Sequence, residues 1–312
     1  MLSRTANNIF WLARYMERAN SLARLLEVAR RMRGMEKTTR TNEWASALTA
    51  SGCDAGFYEK YDSVTGARAV DYLVRDMDNP SSIMSCLFTA RQNARAVRTA
   101  LTREMWECIN DTWMEARAMS HDQLKGPELS VALDWVKNRT LLFNGAYINT
   151  MLRNDGFFFT ELGTHLERAD NTARILDVKY HILLPTHEKV GGIVDYYQWS
   201  SLLRAVSAAR AYHFVYKDRV HPWNVAELMI LRSEMPRSMR SCFDVITQRL
   251  DDLADTYGGR AGECHRLAGA MHARLKYGRI DDILAQGLHE FLTEYIDNAV
   301  VLGNEIARFY LM

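Results

Sequence analysis

Leu12, Met16, Ala19, Ala23 and Leu26 recur at alternating steps of four and three, which lays one apolar stripe along the side of a helix. Helical spacing of this kind dominates the chain, and the two-residue alternation of a strand is hard to find. The pattern predicts helices over about 3–33, 67–77, 81–100 and 102–119, and a further one from the Gly126-Pro127 break to about 152. After Asn154-Asp155-Gly156 it predicts helices to Leu184 and near 195–217, 223–233, 237–257, 261–276 and 280–311. Residues 34–66 carry a weaker pattern. The five prolines (Pro80, Pro127, Pro185, Pro222, Pro236) fall where helices start or stop, and Pro80 and Pro236 are placed in the first turn, where the missing N-H is harmless.

Within this pattern the chain repeats itself. Residues 12–28 read LARYMERANSLARLLEV and residues 162–178 read LGTHLERADNTARILDV, with eight of seventeen positions identical. Chance at average residue usage gives about one match. A second pair follows in the same order, Pro80-Ser81-Ser82-Ile83-Met84-Ser85-Cys86-Leu87 against Pro236-Arg237-Ser238-Met239-Arg240-Ser241-Cys242-Phe243. These matches predict an all-α protein of two duplicated helical bundles, residues 1–153 and 154–312, packed into one unit and open to a pseudo-two-fold relation.

Composition narrows the function classes. With 48% hydrophobic and 25% charged residues the chain has the makeup of a globular protein with a substantial core. A formal net charge of +1 lacks the basic excess of a nucleic-acid binder. No apolar run approaches the length of a membrane span and no amino-terminal leader pattern is visible, so a cytoplasmic location is the expectation. Cys53, Cys86, Cys108, Cys242 and Cys264 form no close-spaced pair, which argues for reduced thiols over zinc or disulfides. No phosphate-cradling glycine loop or nucleophile elbow occurs, and no cofactor is called for.

The repeated segment also holds the candidate chemistry. On a helical wheel Glu17, Ser21 and Arg24 lie opposite the apolar stripe with Arg14 nearby, and Glu167, Asn171 and Arg174 repeat the set, flanked by Asp170 and Asp177. Carboxylates can exchange protons or hold an amine, and a guanidinium fork grips a carboxylate or phosphate in two places. Three readings stay open: a solvated face with local ion pairs, an interface in which Glu and Arg pair between copies, and a ligand or catalytic site. His165 beside Glu161 and Glu167 invites a metal, but the Glu-x-x-His spacing of di-metal bundles is missing and the first copy has Tyr15 at that place. Cys86 and Cys242 read more readily as small buried residues inside helices than as nucleophiles.

Asn8 to Ala19 (NIFWLARYMERA), Asn79 to Ile83 (NPSSI), Leu166 to Arg174 (LERADNTAR), and Ala226-Glu227-Leu228 with Pro236-Arg237-Ser238 together resemble the bacterial alpha-E domain family, along nearly the whole chain. The resemblance implies an all-α fold. It also implies association with a circularly permuted ATP-grasp protein, often beside a transglutaminase-like peptidase, and so a system that makes or trims an amide or peptide. The matching residues are Glu17, Arg18, Arg24, Glu167, Arg168, Asp170 and Arg174; where the first motif of the family often has an acidic residue, this chain has Asn20. The expected function is a helical partner that docks or positions the ligase or its acceptor. The alternative is an enzyme of amide chemistry, with Glu17 and Glu167 as acid/base groups, Arg24 and Arg174 as carboxylate or phosphate clamps, and Arg14, Arg18, Arg168, Asp170 and Asn171 as ligand contacts.

Overall fold

The computed structural model describes residues 1–33, 43–182 and 193–311, and every regular element among them is helical, so the protein is all-α. Seven α-helices precede residue 151: α1 (Ser3–Arg33), α2 (Glu43–Ala50), α3 (Asp54–Lys60), α4 (Gly66–Val74), α5 (Ile83–Ala96), α6 (Arg103–Ala116) and α7 (Glu128–Thr150). Eight follow: α8 (Asp155–Ile182), α9 (Ile193–Ala205), α10 (Ala209–Tyr216), α11 (Pro222–Ile230), α12 (Met239–Thr256), α13 (Glu263–Tyr277), α14 (Ile280–Gln286) and α15 (Leu288–Ile306). The break expected at Pro185 and Gly191-Gly192 lies outside the described residues.

Local chemistry sets several of these boundaries. Ser82 Oγ accepts the Ser85 N-H at 3.1 Å and Ser238 Oγ accepts the Ser241 N-H at 2.9 Å, so α5 and α12 begin at serine N-caps. Pro80 and Pro236 therefore sit two residues ahead of the caps rather than inside the first turn. Pro222 does occupy the first turn of α11.

The expected helix over 195–217 is in fact two helices, α9 and α10. They part at Ser207, whose φ of 61° is left-handed; the Ala208 N-H bonds to Leu203 O at 2.7 Å and the Ser207 N-H to Arg204 O at 3.1 Å. This Schellman turn recurs at Gly52 (φ 67°), with Cys53 N-H to Leu48 O and Gly52 N-H to Thr49 O, both 2.9 Å. Past each turn an aromatic pair packs alike: Phe57 and Tyr61 at 4.9 Å and 37°, Tyr212 and Tyr216 at 4.9 Å and 38°. The predicted helix over 280–311 is likewise divided, at Gly287, where φ reaches 108°.

The centre of the molecule is the pair α1 and α8. They run side by side in the same direction, with Phe10 beside Gly163 and Glu17-Arg18 beside Glu167-Arg168. α1 is flanked by α5 and α7, α8 by α12 and α15, and both α2 and α9 touch the two central helices. Enclosed on nearly all sides, α1 buries its polar positions as well as its apolar stripe; Leu12, Met16, Ala19, Ala23 and Leu26 are buried, and so are Glu17, Asn20, Ser21, Arg24 and Glu27.

Gly163 permits the close approach of the two helices. A Cβ there would lie 2.3 Å from the Phe10 carbonyl oxygen and 3.1 Å from the Ala13 methyl. Both obstacles belong to a central helix and cannot swing aside. Gly163→Ala is therefore expected to cost about 1–3 kcal/mol of unfolding free energy, despite the better helix propensity of alanine, as read from the midpoint of urea denaturation. Unchanged stability would mean that the crossing is not held at this distance.

Candidate functional site

At the crossing each central helix turns its Glu-Arg pair toward the other. Arg18 grips Glu167 in two places, Nε to Oε1 at 2.6 Å and Nη2 to Oε2 at 3.0 Å, and Arg14 adds Nε to Oε2 at 2.8 Å. In return Arg168 Nη2 reaches Glu17 Oε2 at 3.1 Å, and Arg237 Nη1, from the turn before α12, reaches Glu17 Oε1 at 2.9 Å. The arginines on Glu167 thus come from α1, and those on Glu17 come from α8 and from the turn before α12. Both carboxylates are almost sealed, at 1% exposure for Glu17 and 2% for Glu167.

Neighbouring side chains complete the network. Asn20 donates Nδ2 to Glu17 Oε1 at 3.1 Å and accepts from Arg24 Nε at 3.2 Å, so one amide serves both ions. Around Glu167 the two tasks are divided: Asn171 Nδ2 donates to Glu167 Oε1 at 3.3 Å, and Asp170 accepts from Arg174 Nε at 2.7 Å. Arg24 and Arg174 also cap helix ends. Arg24 Nη1 donates to the Ala205 carbonyl closing α9 at 2.6 Å, and Arg174 Nη1 donates to the Ala50 carbonyl closing α2 at 3.4 Å. Arg14 and Arg18 are further held over the rings of Trp11 and Tyr15, at 4.7 and 5.5 Å.

The electrostatics follow from burial set against pairing. Burial alone raises a carboxyl pKa, but Arg168 and Arg237 outweigh it and hold Glu17 at about 2. Arg18 and Arg14 likewise outweigh burial at Glu167 and keep it below the ordinary range. Arg24, buried and repelled by Arg237 and Arg168, falls to about 9. Burial lifts the Cys86 and Cys242 thiols to about 12 although Arg18 and Arg168 stand near, so neither supplies a thiolate at neutral pH. Burial and the charge of Arg168 push His165 down to about 3; its Nδ1 lies 2.9 Å from the Glu161 carbonyl, and Glu161 pairs with Arg249 at 2.7 Å. Among the described residues no three His, Cys, Asp or Glu side chains are placed to hold a metal ion.

Arg14, Glu17, Arg24, Glu167, Asp170, Asn171 and Arg174 therefore meet at the α1–α8 crossing, on a polar seam inside the protein rather than on a solvated face, while Asp177 lies farther along α8 and pairs with His289 of α15 at 2.6 Å. Arg237 joins them unannounced. Its signal in the sequence was a single difference inside the repeated Pro-x-Ser segment, Ser81 in one copy and arginine in the other. Beside Glu167 the seam opens into a cavity of about 230 Å³ bounded by Arg18, Asp170, Asn171 and Arg174 together with Ser51, Gly52 and Ser81.

An all-helical protein built on two glutamate–arginine motifs that answer each other across a central helix pair is a recognisable class. The chain belongs to the Alpha-E family, described as "a predicted alpha-helical domain with a conserved ER motif", whose model matches residues 1–311. Two uncharacterised mycobacterial proteins, one from Mycobacterium bovis and one from Mycobacterium tuberculosis, are each 24% identical over 319 residues, covering 94% of this chain and 35% of their own length. The chain thus spans about a third of the curated relatives it matches. No solved structure matches it.

Removing either carboxylate strands two partly buried guanidinium groups. Glu17→Gln and Glu167→Gln are each expected to lower unfolding free energy by roughly 3–5 kcal/mol in denaturant titrations. The sign of the acid dependence is set by the depressed pKa of Glu17, about 2 folded against 4.5 for the free side chain. Its contribution, about 3 kcal/mol, is fully present above pH 4.5 and is lost as pH falls toward 2. Thermal melts across that range should show a flatter acid limb for Glu17→Gln than for the native protein; parallel limbs would contradict the pairing.

Proposed function

We propose that this protein is the helical partner of a circularly permuted ATP-grasp ligase system that forms or trims amide or peptide bonds, and that it docks or positions the ligase or its acceptor. In this reading residues 1–153 and 154–312 are two duplicated bundles fused into one compact unit, and Glu17 and Glu167 are the ties between them. The observation that carries it is the saturation of both glutamates by arginines from across the crossing. A carboxylate held well below the ordinary range by two arginines stores no proton near neutral pH, and its oxygens are already engaged by those guanidinium groups.

Two further features support docking. The curated relatives hold the matching region within chains roughly three times as long, as expected of a module that works joined to others. The outer side of α7 carries Leu141 and Ile148 two turns apart, both exposed, with open space at Gly145 between them, and Leu152 just past the helix end is exposed as well. Such a stripe is what an interacting helix or sheet would cover.

The alternative, an enzyme with Glu17 and Glu167 as acid/base groups, is separated by measurement. ADP release by the ATP-grasp protein, with an amino-acid mixture as acceptor, is expected to rise or change its product when this chain is added at equal concentration. Leu141→Glu with Ile148→Glu should abolish that effect and the co-elution of the two proteins, while leaving the melting temperature within about 2 °C, as befits exposed positions. If Glu167→Gln instead leaves folding and association intact while turnover falls by about 100-fold or more, the catalytic reading replaces this one.

A further inference from the structure

The corresponding surroundings of Glu17 and Glu167 are not built alike, and the differences lie against an opening beside Glu167. Beside Glu17, the position corresponding to Ser81 is Arg237, whose guanidinium reaches the carboxylate at 2.9 Å. The position corresponding to Gly52 is Ser207, whose hydroxyl accepts from Arg24 at 3.1 Å. The chain supplies these groups itself. Beside Glu167 the same places hold only a short hydroxyl side chain and a glycine, and the cavity of about 230 Å³ lies against them.

The groups around that cavity are unevenly satisfied. Arg18 spends Nε and Nη2 on Glu167, and Nη1 makes no hydrogen bond among the described residues. The Ser81 hydroxyl likewise has no partner among the described residues, and Arg174 Nη1 has only the long contact to Ala50 O. On the accepting side, among the described residues, Asp170 receives bonds from Arg174 alone, and Asn171 spends its amide N-H groups on Glu167 while its Oδ1 receives none. Leu22 and Leu25 form an apolar wall of the same space. The cavity is below the usual range for drug-sized ligands or nucleotides.

We infer that this cavity binds a small zwitterion, a free α-amino acid or the end of a short peptide. Its carboxylate meets Arg18 Nη1 and the Ser81 hydroxyl, and its ammonium meets Asp170 and Asn171 Oδ1. An aliphatic side chain lies on Leu22 and Leu25. Neither a simple anion nor a simple amine uses both free donors and free acceptors, and each leaves one set unpaired. The inference deepens the proposed function by naming an acceptor class, yet binding belongs to this chain alone and is measured without any ligase.

The test is calorimetric titration of the intact protein with L-leucine, 4-methylpentanoate, which lacks the amine, and isoamylamine, which lacks the carboxylate. L-Leucine is expected to bind saturably with a Kd on the order of 1 mM or tighter, and each half-ligand at least about tenfold more weakly. Ser81→Arg, which copies Arg237, should abolish leucine binding, and Gly52→Ser, which copies Ser207, should weaken it several-fold; both are checked for unchanged helicity, and the second stands alone if the first does not fold. No saturable heat with L-leucine up to about 10 mM, equal binding of 4-methylpentanoate, or leucine binding untouched by a folded variant would each overturn the assignment. Failure here leaves the ligase partnership to its own test, because ADP release is read with the partner present.

Discussion

Two carboxylates enclosed where α1 crosses α8 can stay ionised only if cations are delivered to the same enclosed place, and much of the centre of the molecule is arranged to deliver them. Taking an isolated carboxylate out of water costs several kcal/mol even after relaxation, so an unpaired Glu17 or Glu167 would protonate or push the helices apart. Four arginines prevent this, two on each glutamate. Because the cations on each glutamate come from the opposite side of the crossing, neither central helix can satisfy its own glutamate. The ion pairs add less to net stability than to specificity: they favour the one register in which both motifs find partners over the many in which charges are stranded.

That register also depends on distance. Guanidinium groups on α1 reach carboxylates on α8 because the backbones meet at Gly163 and Ala13, where there is almost no side-chain volume between them. Moving the helices apart by the width of a methyl group would lengthen several charge-assisted bonds at once, and their strength depends on being short. The small residues and the charged ones in the repeated segment are therefore parts of one device. Arg24 and Arg174 extend it outward by tying the crossing to the carboxyl-terminal ends of α9 and α2.

The helical class, most helix positions and the Glu-Arg residues that meet at the crossing were legible in the sequence, since three-four spacing and a twice-written motif are local signals. What surrounds those residues was legible only as three open readings, one of them the pairing of Glu and Arg between copies that the structure has. A helical wheel treats one helix at a time, so it cannot choose between solvent and a partner surface that is equally polar. The split at Ser207 was invisible because a left-handed helix end is ordinarily marked by glycine, and a serine held there by Arg24 carries no such mark. Gly287 was a single residue inside an otherwise continuous pattern, and only its φ of 108° shows that it ends α14. Arg237 is distant in sequence from the carboxylate it meets, so nothing in its own neighbourhood announced the contact.

The divergence between the two surroundings is itself constrained. Where the chain has Arg14 its corresponding residue is Thr164, and where it has Arg237 the corresponding residue is Ser81. Each glutamate nevertheless ends with two guanidinium partners, one from the shared Glu-Arg motif and one from a source peculiar to that side. Charge compensation at the carboxylate is kept, while the route by which the second cation arrives differs. The consequence is geometric: an arginine arriving from within α1 leaves the turn before α5 short, at Ser81, and an arginine arriving from the turn before α12 occupies the corresponding ground on the other side. The same requirement of two cations per carboxylate is met in two ways, and beside Glu167 it leaves the seam open toward whatever can supply matching charge from outside.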